Sequence, residues 1–334
     1  MEVIPMKIQY PIKVAVIAYD GANAVDIFGP LQVFASANEM YKRMHSENFD
    51  IYEIKLFSLT QLQIKLHTGT SVLTDGVLDD LVQYQADTIM ISGGEVALSL
   101  ADQPEVISQL LPIMDQARRV SSVCSGAFIL AATGLMENRQ ATTHWGRYEE
   151  FSTRFPSVKL NIDALFTKDD KYYCSAGVTS GIDLSLYLIQ EDYGHRIALE
   201  TSREMVAFYH RPGGQNQFSS IKTTVSASSD AIVLAQNWID KNLNKVLMVS
   251  QLAELVAMSV RNFSRKFTLE IGLPPSRYIT KARFNKARLL LEENNTSIQR
   301  IAYLCGYENS ESFRRLFKRE LNISPSEYRK RFHI

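Results

Sequence analysis

The chain has 334 residues, 46% of them hydrophobic and 22% charged, and it carries 36 Lys/Arg against 36 Asp/Glu. That composition excludes a disordered chain, the length points to two domains, and no apolar run reaches the ~20 residues of a membrane-spanning helix. Three widely spaced cysteines, Cys124, Cys174 and Cys305, fit neither a disulfide framework nor a Cys/His metal pattern, so free thiols, no metal and no cofactor are expected.

The opening "MEVIPMKIQYPIKV" lacks the charged segment, long apolar run and cleavage site of a signal peptide, so a cytoplasmic protein without a membrane partner is expected. Four apolar runs then read as strands: "KVAVIAY" (13–19), "IYEIKLFSL" (51–59), "DTIMISGG" (87–94) and "RVSSVCSG" (119–126). They alternate with helical stretches such as "AVDIFGPLQVFASANEM" and "PEVISQLLPIMDQARR". This alternation predicts an α/β domain, a mostly parallel sheet with helices on both faces. Ligands of such a sheet sit beyond the carboxyl ends of its strands, where Asp20, Gly93, Gly94 and Cys124 fall.

Cys124 lies at a strand-to-helix turn with small neighbours Ser125, Gly126 and Ala127. A turn of that kind is expected to expose the thiol near a helix N-terminus and to lower its pKa. Gly93 and Gly94 let the backbone come close and could add an oxyanion-type donor. His144 could serve the thiol as base or hydrogen-bond partner, and Asp26, in "NAVDIFGP", could supply a carboxylate. The Cys–His spacing alone leaves an inert buried cysteine open. Ser175 to Ser180 and Asp183 read as a plain helix start. Cys174 reads as core, His195 and His210 as structural or surface residues, and "RPGGQ" (211–215) as a hinge or interface turn.

The Ser/Thr-rich "SSIKTTVSASSD" (219–230) reads as a linker, and the charge changes sign there. Residues 1–229 carry 18 Lys/Arg and 26 Asp/Glu, whereas residues 230–334 carry 18 and 10. The basic end is the candidate nucleic-acid binder. Within it, residues 252–278 repeat as 301–328: Phe263 and Phe267 match Phe313 and Phe317, and Pro275, Ser276 and Tyr278 match Pro325, Ser326 and Tyr328. Each copy has a short helix, a small residue (Ala257 or Gly306) and a second helix, the order of a helix-turn-helix. Ser250, Ser259 and Ser297 are placed as N-caps, Gly272 and Asn322 as left-handed C-terminal residues, and Pro325 as a first helical residue. Residues 276–295 read as a long connecting helix offering Tyr278, Ile279, Ala282, Leu289 and Leu290 to the core. Arg261, Asn262, Ser264 and Arg265 in the first copy, and Asn309, Ser310, Glu311, Ser312, Arg314 and Arg315 in the second, suit base edges and phosphates of double-stranded DNA.

The second copy, "SIQRIAYLCGYENSESFRRLFKRELNISPSEYRK", resembles the signature of AraC/XylS transcription regulators, and the resemblance covers nearly all of residues 230–334. It implies a seven-helix domain binding promoter DNA, usually as an activator, with an RNA polymerase contact. Over residues 11–217, "GPLQVFASAN", "ISGG", "VCSGAFILAATGLMENRQATTHW" and "SAGVTSGIDLSLYLI" resemble the PfpI-type, class-I glutamine-amidotransferase-like superfamily. That implies a flavodoxin-like doubly wound fold and a homodimer through the N-terminal domain. The combination is similar to the GlxA-type branch of AraC regulators, whose enzyme-like domain serves as a sensor. Carried over, Cys124 is the nucleophile-elbow cysteine, His144 its partner and Asp26 the acid beside it, and the resemblance brings the turn at Ser175 to Ser180 and Asp183 near the elbow as an alternative border of the pocket.

A histidine follows the elbow cysteine in the protease-like members, and Ser125 stands there in this chain, which argues against a protease. The expected organisation is a sensor domain (11–217), a linker (218–230) and a DNA-binding domain (231–334). A small-molecule effector is expected at Asp26, Gly93, Gly94, Cys124, Ser125, His144 and Ser175. Hydratase or amide-hydrolase-like chemistry at Cys124, or redox sensing by its thiol, is the alternative.

Overall fold

The computed structural model describes residues 11–209, 214–215, 229–293 and 295–332. Residues 218–228 of the expected linker, most of the "RPGGQ" turn and His210 lie outside them. The chain divides into two compact units, the first ending at Gln215 and the second following it.

In the first unit, β1 (Ile12–Ala18) leads through α1 (Ala24–His45) to β2 (Tyr52–Ser58). A short hairpin, β3 (Gln63–Lys65) and β4 (Ser71–Leu73), and α2 (Leu78–Tyr84) precede β5 (Thr88–Ile91). Helices α3 (Val96–Leu100) and α4 (Pro104–Gln116) lead to β6 (Arg119–Val123), which turns into α5 (Gly126–Ala132). After β7 (Gln140–Ala141), a single 3-10 turn (Trp145–Arg147) and α6 (Tyr148–Arg154) come β8 (Lys159–Leu160), β9 (Phe166–Asp169), β10 (Tyr172–Ser175) and α7 (Ser180–Glu204).

The six-stranded sheet has the order β2-β1-β5-β6-β10-β9. All its pairings are parallel except β10 with β9. Helices cover both faces, so strands such as β5 and β6 are buried along their whole length and read as apolar runs rather than as alternation. β1 lies between β2 and β5, which opens a crevice at the carboxyl ends of β1, β5 and β6.

The opposite end of the sheet is closed by polar bonds. Buried Arg119 donates to Asp192 at 2.5 Å, Tyr52 Oη donates to the same carboxylate at 2.9 Å, and Arg118 adds a third donor at 3.2 Å. Asp192 precedes Gly194, whose φ of 83° and ψ of 169° break α7. Cys174 is buried in β10, as expected of core, and His195 is exposed with Nδ1 2.9 Å from the Tyr209 hydroxyl.

The second unit has seven helices among the described residues: α8 (Asp230–Lys241), α9 (Val249–Leu255), α10 (Val260–Ile271), α11 (Pro275–Glu293), α12 (Ile298–Leu304), α13 (Ser310–Leu321) and α14 (Pro325–Phe332). Two separate cores form. One gathers Ile232, Leu252, Phe263, Phe267 and Tyr278, the other Ile301, Phe313, Phe317 and Tyr328, and α11 contributes to both. The duplication extends to ring geometry: Tyr278 stands edge-on to Phe267 at 5.3 Å, and Tyr328 edge-on to Phe317 at 5.7 Å.

The structure corrects two expectations here. Leu289 is 40% exposed, because α11 turns its apolar stripe from Tyr278 and Ile279 in one core to Phe284, Ala287 and Leu291 in the other. Ser250 is not an N-cap; α9 starts a residue earlier with Met248 at the cap, whose N–H is satisfied by the Gln251 side chain at 3.2 Å.

Candidate functional site

Cys124 occupies the sharp turn between β6 and α5 with φ of 56°, in the left-handed region that costs a non-glycine residue energy. Its N–H donates to the Ser175 carbonyl on β10 (3.0 Å), and its carbonyl accepts the Thr143 hydroxyl (2.9 Å). Gly126 completes the elbow, since a Cβ there would stand 2.5 Å from the Ile91 carbonyl oxygen and 2.8 Å from that of Ser92.

The turn does not expose the thiol. Cys124 is 6% exposed, and burial, with the nearby Asp26 carboxylate second, pushes its pKa up to about 12. The Ser125 N–H and hydroxyl and Arg147 oppose this without reversing it. The expectation of an exposed, acidified thiol is therefore corrected: α5 has seven residues and a small dipole, and desolvation outweighs it.

Asp26, at the start of α1, is 1% exposed. Its Oδ2 accepts the Gly93 N–H (3.1 Å) and the Asn23 side-chain amide (3.3 Å), while its Oδ1 is buried without a hydrogen-bond partner among the described residues. Burial raises the carboxyl to about 7, against those two hydrogen bonds. A Cβ on Gly93 would overlap Asp26 Oδ2 and stand 2.8 Å from Cys124 Cβ, so only glycine fits between acid and thiol.

Ser125 accepts the Gly94 N–H (2.9 Å) and donates to the Gly94 carbonyl (2.7 Å), fastening the glycine loop to the elbow. The amides of Gly93 and Gly94 are thus both engaged, so neither is free in this structure to serve as the oxyanion-type donor that the sequence suggested. Tyr19, which sequence reasoning missed, lies behind the pair: it is buried, donates to the Ser92 carbonyl at 2.7 Å and has its pKa raised by burial and by Asp26 and Cys124.

His144 approaches this cluster without completing a catalytic pair. Its Nδ1 accepts the Gly146 N–H at 3.2 Å, its ring packs beside Trp145, and no hydrogen bond joins it to the Cys124 thiol. Burial and Arg147 lower its pKa, so it is neutral at pH 7. Gly177 lies beside it, a Cβ there reaching 3.7 Å from His144 Cδ2, which brings the β10–α7 turn to the same site. Ser175 is fully buried, its hydroxyl donating to the Ser122 carbonyl at 3.3 Å. Arg147 pairs with Glu95, the residue after Gly94, and with Glu150. Arg147 and Glu95 are distant in sequence and carry no motif that would announce them.

Among the described residues no group of three His, Cys, Asp or Glu side chains could hold a metal. Near pH 7 the site presents a neutral thiol, a neutral imidazole and a carboxyl close to its pKa. That set makes hydrogen bonds readily and nucleophilic attacks poorly.

In the second unit, α10 buries Phe263, Phe267 and Ile271 and exposes Arg261, Asn262 and Arg265, with Ser264 half-buried. α13 buries Phe313, Leu316, Phe317 and Leu321 and exposes Glu311, Arg314 and Arg315, with Ser310 and Ser312 half-buried. Lys318 and Arg319, not singled out by the sequence, are also exposed on α13. Asn309 serves first as a cap: its Oδ1 accepts the Ser312 N–H at 2.8 Å, as Ser259 accepts that of Asn262 at 3.3 Å. The residues that close the first helices are left-handed, Ala257 with φ of 52° and Gly306 with φ of 76°.

Two family models match the chain, that of the DJ-1/PfpI family over residues 12–191 and that of a helix-turn-helix domain over residues 252–331. The HTH-type transcriptional regulator CdhR of Pseudomonas aeruginosa is 27% identical over 296 residues, 89% of this chain and 87% of that protein. GbdR, another HTH-type transcriptional regulator of Pseudomonas aeruginosa, is 24% identical over 326 residues, 98% of this chain and 86% of its own length. Among solved structures, an AraC family transcriptional regulator from Pseudomonas putida superposes with a TM-score of 0.51 at 18% identity, covering 58% of this chain and 100% of that one. That likeness establishes the fold of the first unit.

Proposed function

Since the chain belongs to the DJ-1/PfpI family and joins that domain to a helix-turn-helix domain, we propose that it is a one-component transcription regulator. Its second unit binds double-stranded promoter DNA, and its first unit binds a small-molecule effector at Asp26, Cys124 and His144. The observation that carries this reading is the duplicated frame of α10 and α13. Each has a side-chain N-cap and a left-handed C-cap, the same buried Phe pair and a polar, arginine-bearing outer face, and both pack on α11. Two recognition helices held this way suit successive major grooves ~34 Å apart. The regulators CdhR and GbdR, matched over most of their length, support the same reading.

The buried thiol supports recognition over catalysis. With a pKa of about 12 and no hydrogen bond to His144, Cys124 lacks what hydratase, hydrolase or redox chemistry asks of a cysteine. Coupling of effector to DNA affinity requires the effector to bind one state better, on a scale of ~1–3 kcal/mol. By the same resemblance the protein acts as an activator in the cytoplasm, contacts RNA polymerase and forms a homodimer through its first unit. Exposed Val25 and Phe28 on α1 offer that unit an apolar surface.

The test is selection of bound sequences from random duplex DNA with the full-length protein, followed by titrations across salt. One enriched motif with two separated half-sites is expected, with affinity falling steeply as salt rises. Arg265→Ala and Arg315→Ala should each cost ~1–3 kcal/mol, in different half-sites. Enrichment of no sequence would sink the proposal.

A further inference from the structure

Gln215 is the last described residue of the first unit before the stretch leading to the second, and it is 3% exposed. Its Nε2 donates at 3.0 Å to each of the Thr142 hydroxyl, the Thr143 carbonyl and the Ala164 carbonyl. Its N–H donates to the Asp163 carbonyl at 2.8 Å, and its Oε1 is buried with no hydrogen-bond partner among the described residues. Gly214 before it is held as tightly, since a Cβ there would overlap Asp163. An ordinary surface turn does not bury an amide this way, because each unmet polar atom costs ~1–3 kcal/mol.

What Gln215 holds is the rear of the candidate site. Thr143, whose carbonyl it grips, gives its hydroxyl to the Cys124 carbonyl at 2.9 Å, and His144 follows directly. Two hydrogen bonds through one threonine therefore join the elbow to the residue at which the chain leaves the first unit. The structure shows Gln215 docked, and a released Gln215 would be the second discrete arrangement that coupling between sites requires.

The geometry points to Gln215 as a latch that passes occupancy of the Cys124 site to the segment beyond residue 215. An occupant that draws the Thr142–His144 segment toward itself lengthens the bonds to Gln215 and releases it. This rests on the sensor reading proposed above and adds the residue through which the signal leaves the domain.

A double-mutant cycle on the full-length chain tests it. Tryptic cleavage after Lys222 is followed by mass spectrometry, with cleavage after exposed Lys65 in β3 as reference. Gln215→Ala should speed cleavage after Lys222 about fivefold, the factor equivalent to the ~1 kcal/mol of one net hydrogen bond, and leave Lys65 unchanged. Thr143→Val, which removes the hydroxyl bonded to Cys124, should also speed it, and the double variant should go no faster than Gln215→Ala. In return, iodoacetamide labelling of Cys124 should quicken in Gln215→Ala.

Wild-type cleavage after Lys222 in Thr143→Val, multiplying effects in the double variant, or equal acceleration at Lys65 would overturn the latch. If Gln215→Ala does not fold, Thr143→Val alone decides, because a merely structural threonine at the elbow would not act selectively on Lys222. The readout uses neither DNA nor effector, so its failure is distinct from a failure of the regulator proposal.

Discussion

Asp26 and Cys124 both close on Gly93: a side chain there would overlap the Asp26 carboxylate and press on Cys124 Cβ at 2.8 Å. Both groups are buried, which raises both pKa values, and the Asp26 carboxylate further disfavours the thiolate, so the thiol stays neutral. The arrangement inverts what a catalytic cysteine needs, which is a nearby positive charge.

Thiol reactivity follows from that pairing. With a pKa near 12, Cys124 should react with iodoacetamide at pH 8 on the order of a hundredfold slower than an exposed thiol of pKa ~8.5, its far scarcer thiolate being partly offset by higher nucleophilicity. Asp26→Asn should speed the reaction at pH 8, where Asp26 is ionised, and change it little at pH 6, where the native carboxyl is already mostly protonated. A rate plateau near pH 8.5 in the wild type would show an ordinary, accessible thiol and contradict the burial argument.

Asp26 also sets a pH dependence of stability. Its folded pKa of about 7 lies above the ordinary 3.8, so the folded state holds a proton that the unfolded state has released. The neutral acid's contribution is fully present below about pH 4 and is lost as pH rises through about 7, with an upper bound of roughly 4 kcal/mol. Urea midpoints of the wild type should therefore fall between pH 5 and pH 8 by more than those of Asp26→Asn. Parallel curves for the two proteins would place the titration elsewhere.

Much of this site was legible because the sequence marks it with backbone chemistry. Strands buried on both faces show as apolar runs, and an elbow shows as small residues after a strand, so Cys124, Gly93 and Asp26 could be placed together in advance. What could not be read is what depends on polar partners far apart in the chain. Ser125 closing on Gly94, Thr143 on Cys124 and Gln215 on Thr143 follow no period and no motif. The thiol's pKa was misjudged for the same reason, since the burial that raises it is made by segments 31 and 98 residues away, at Gly93 and Asp26. In the second unit the repeat itself revealed the frame, while Leu289 was misplaced because α11 serves two cores with different faces.

The repeat also supplies a controlled comparison of the two helix-turn-helix turns. Ala257 and Gly306 occupy equivalent positions and both are left-handed, but only one is glycine. Ala257 is exposed, and a left-handed L-residue costs ~1–2 kcal/mol, against the ~0.5–1 kcal/mol of added chain entropy that glycine brings. Ala257→Gly should accordingly raise the stability of the DNA-binding unit by up to ~1 kcal/mol.

Gly306 has no such freedom. A Cβ there would run into the Leu243 carbonyl and stand 2.7 Å from the Arg283 guanidinium, which itself donates to the carbonyls of Leu243 (3.1 Å) and Lys245 (2.6 Å). Gly306→Ala must add steric displacement of that arginine to the left-handed cost, so a loss of ~2 kcal/mol or more is expected. Chemical denaturation of the full-length variants, followed by tryptophan fluorescence from Trp238 in α8, measures both. Opposite signs at the two positions are the required outcome; a destabilised Ala257→Gly would mean that the first turn depends on its methyl group for packing and that the two units are not equivalent there.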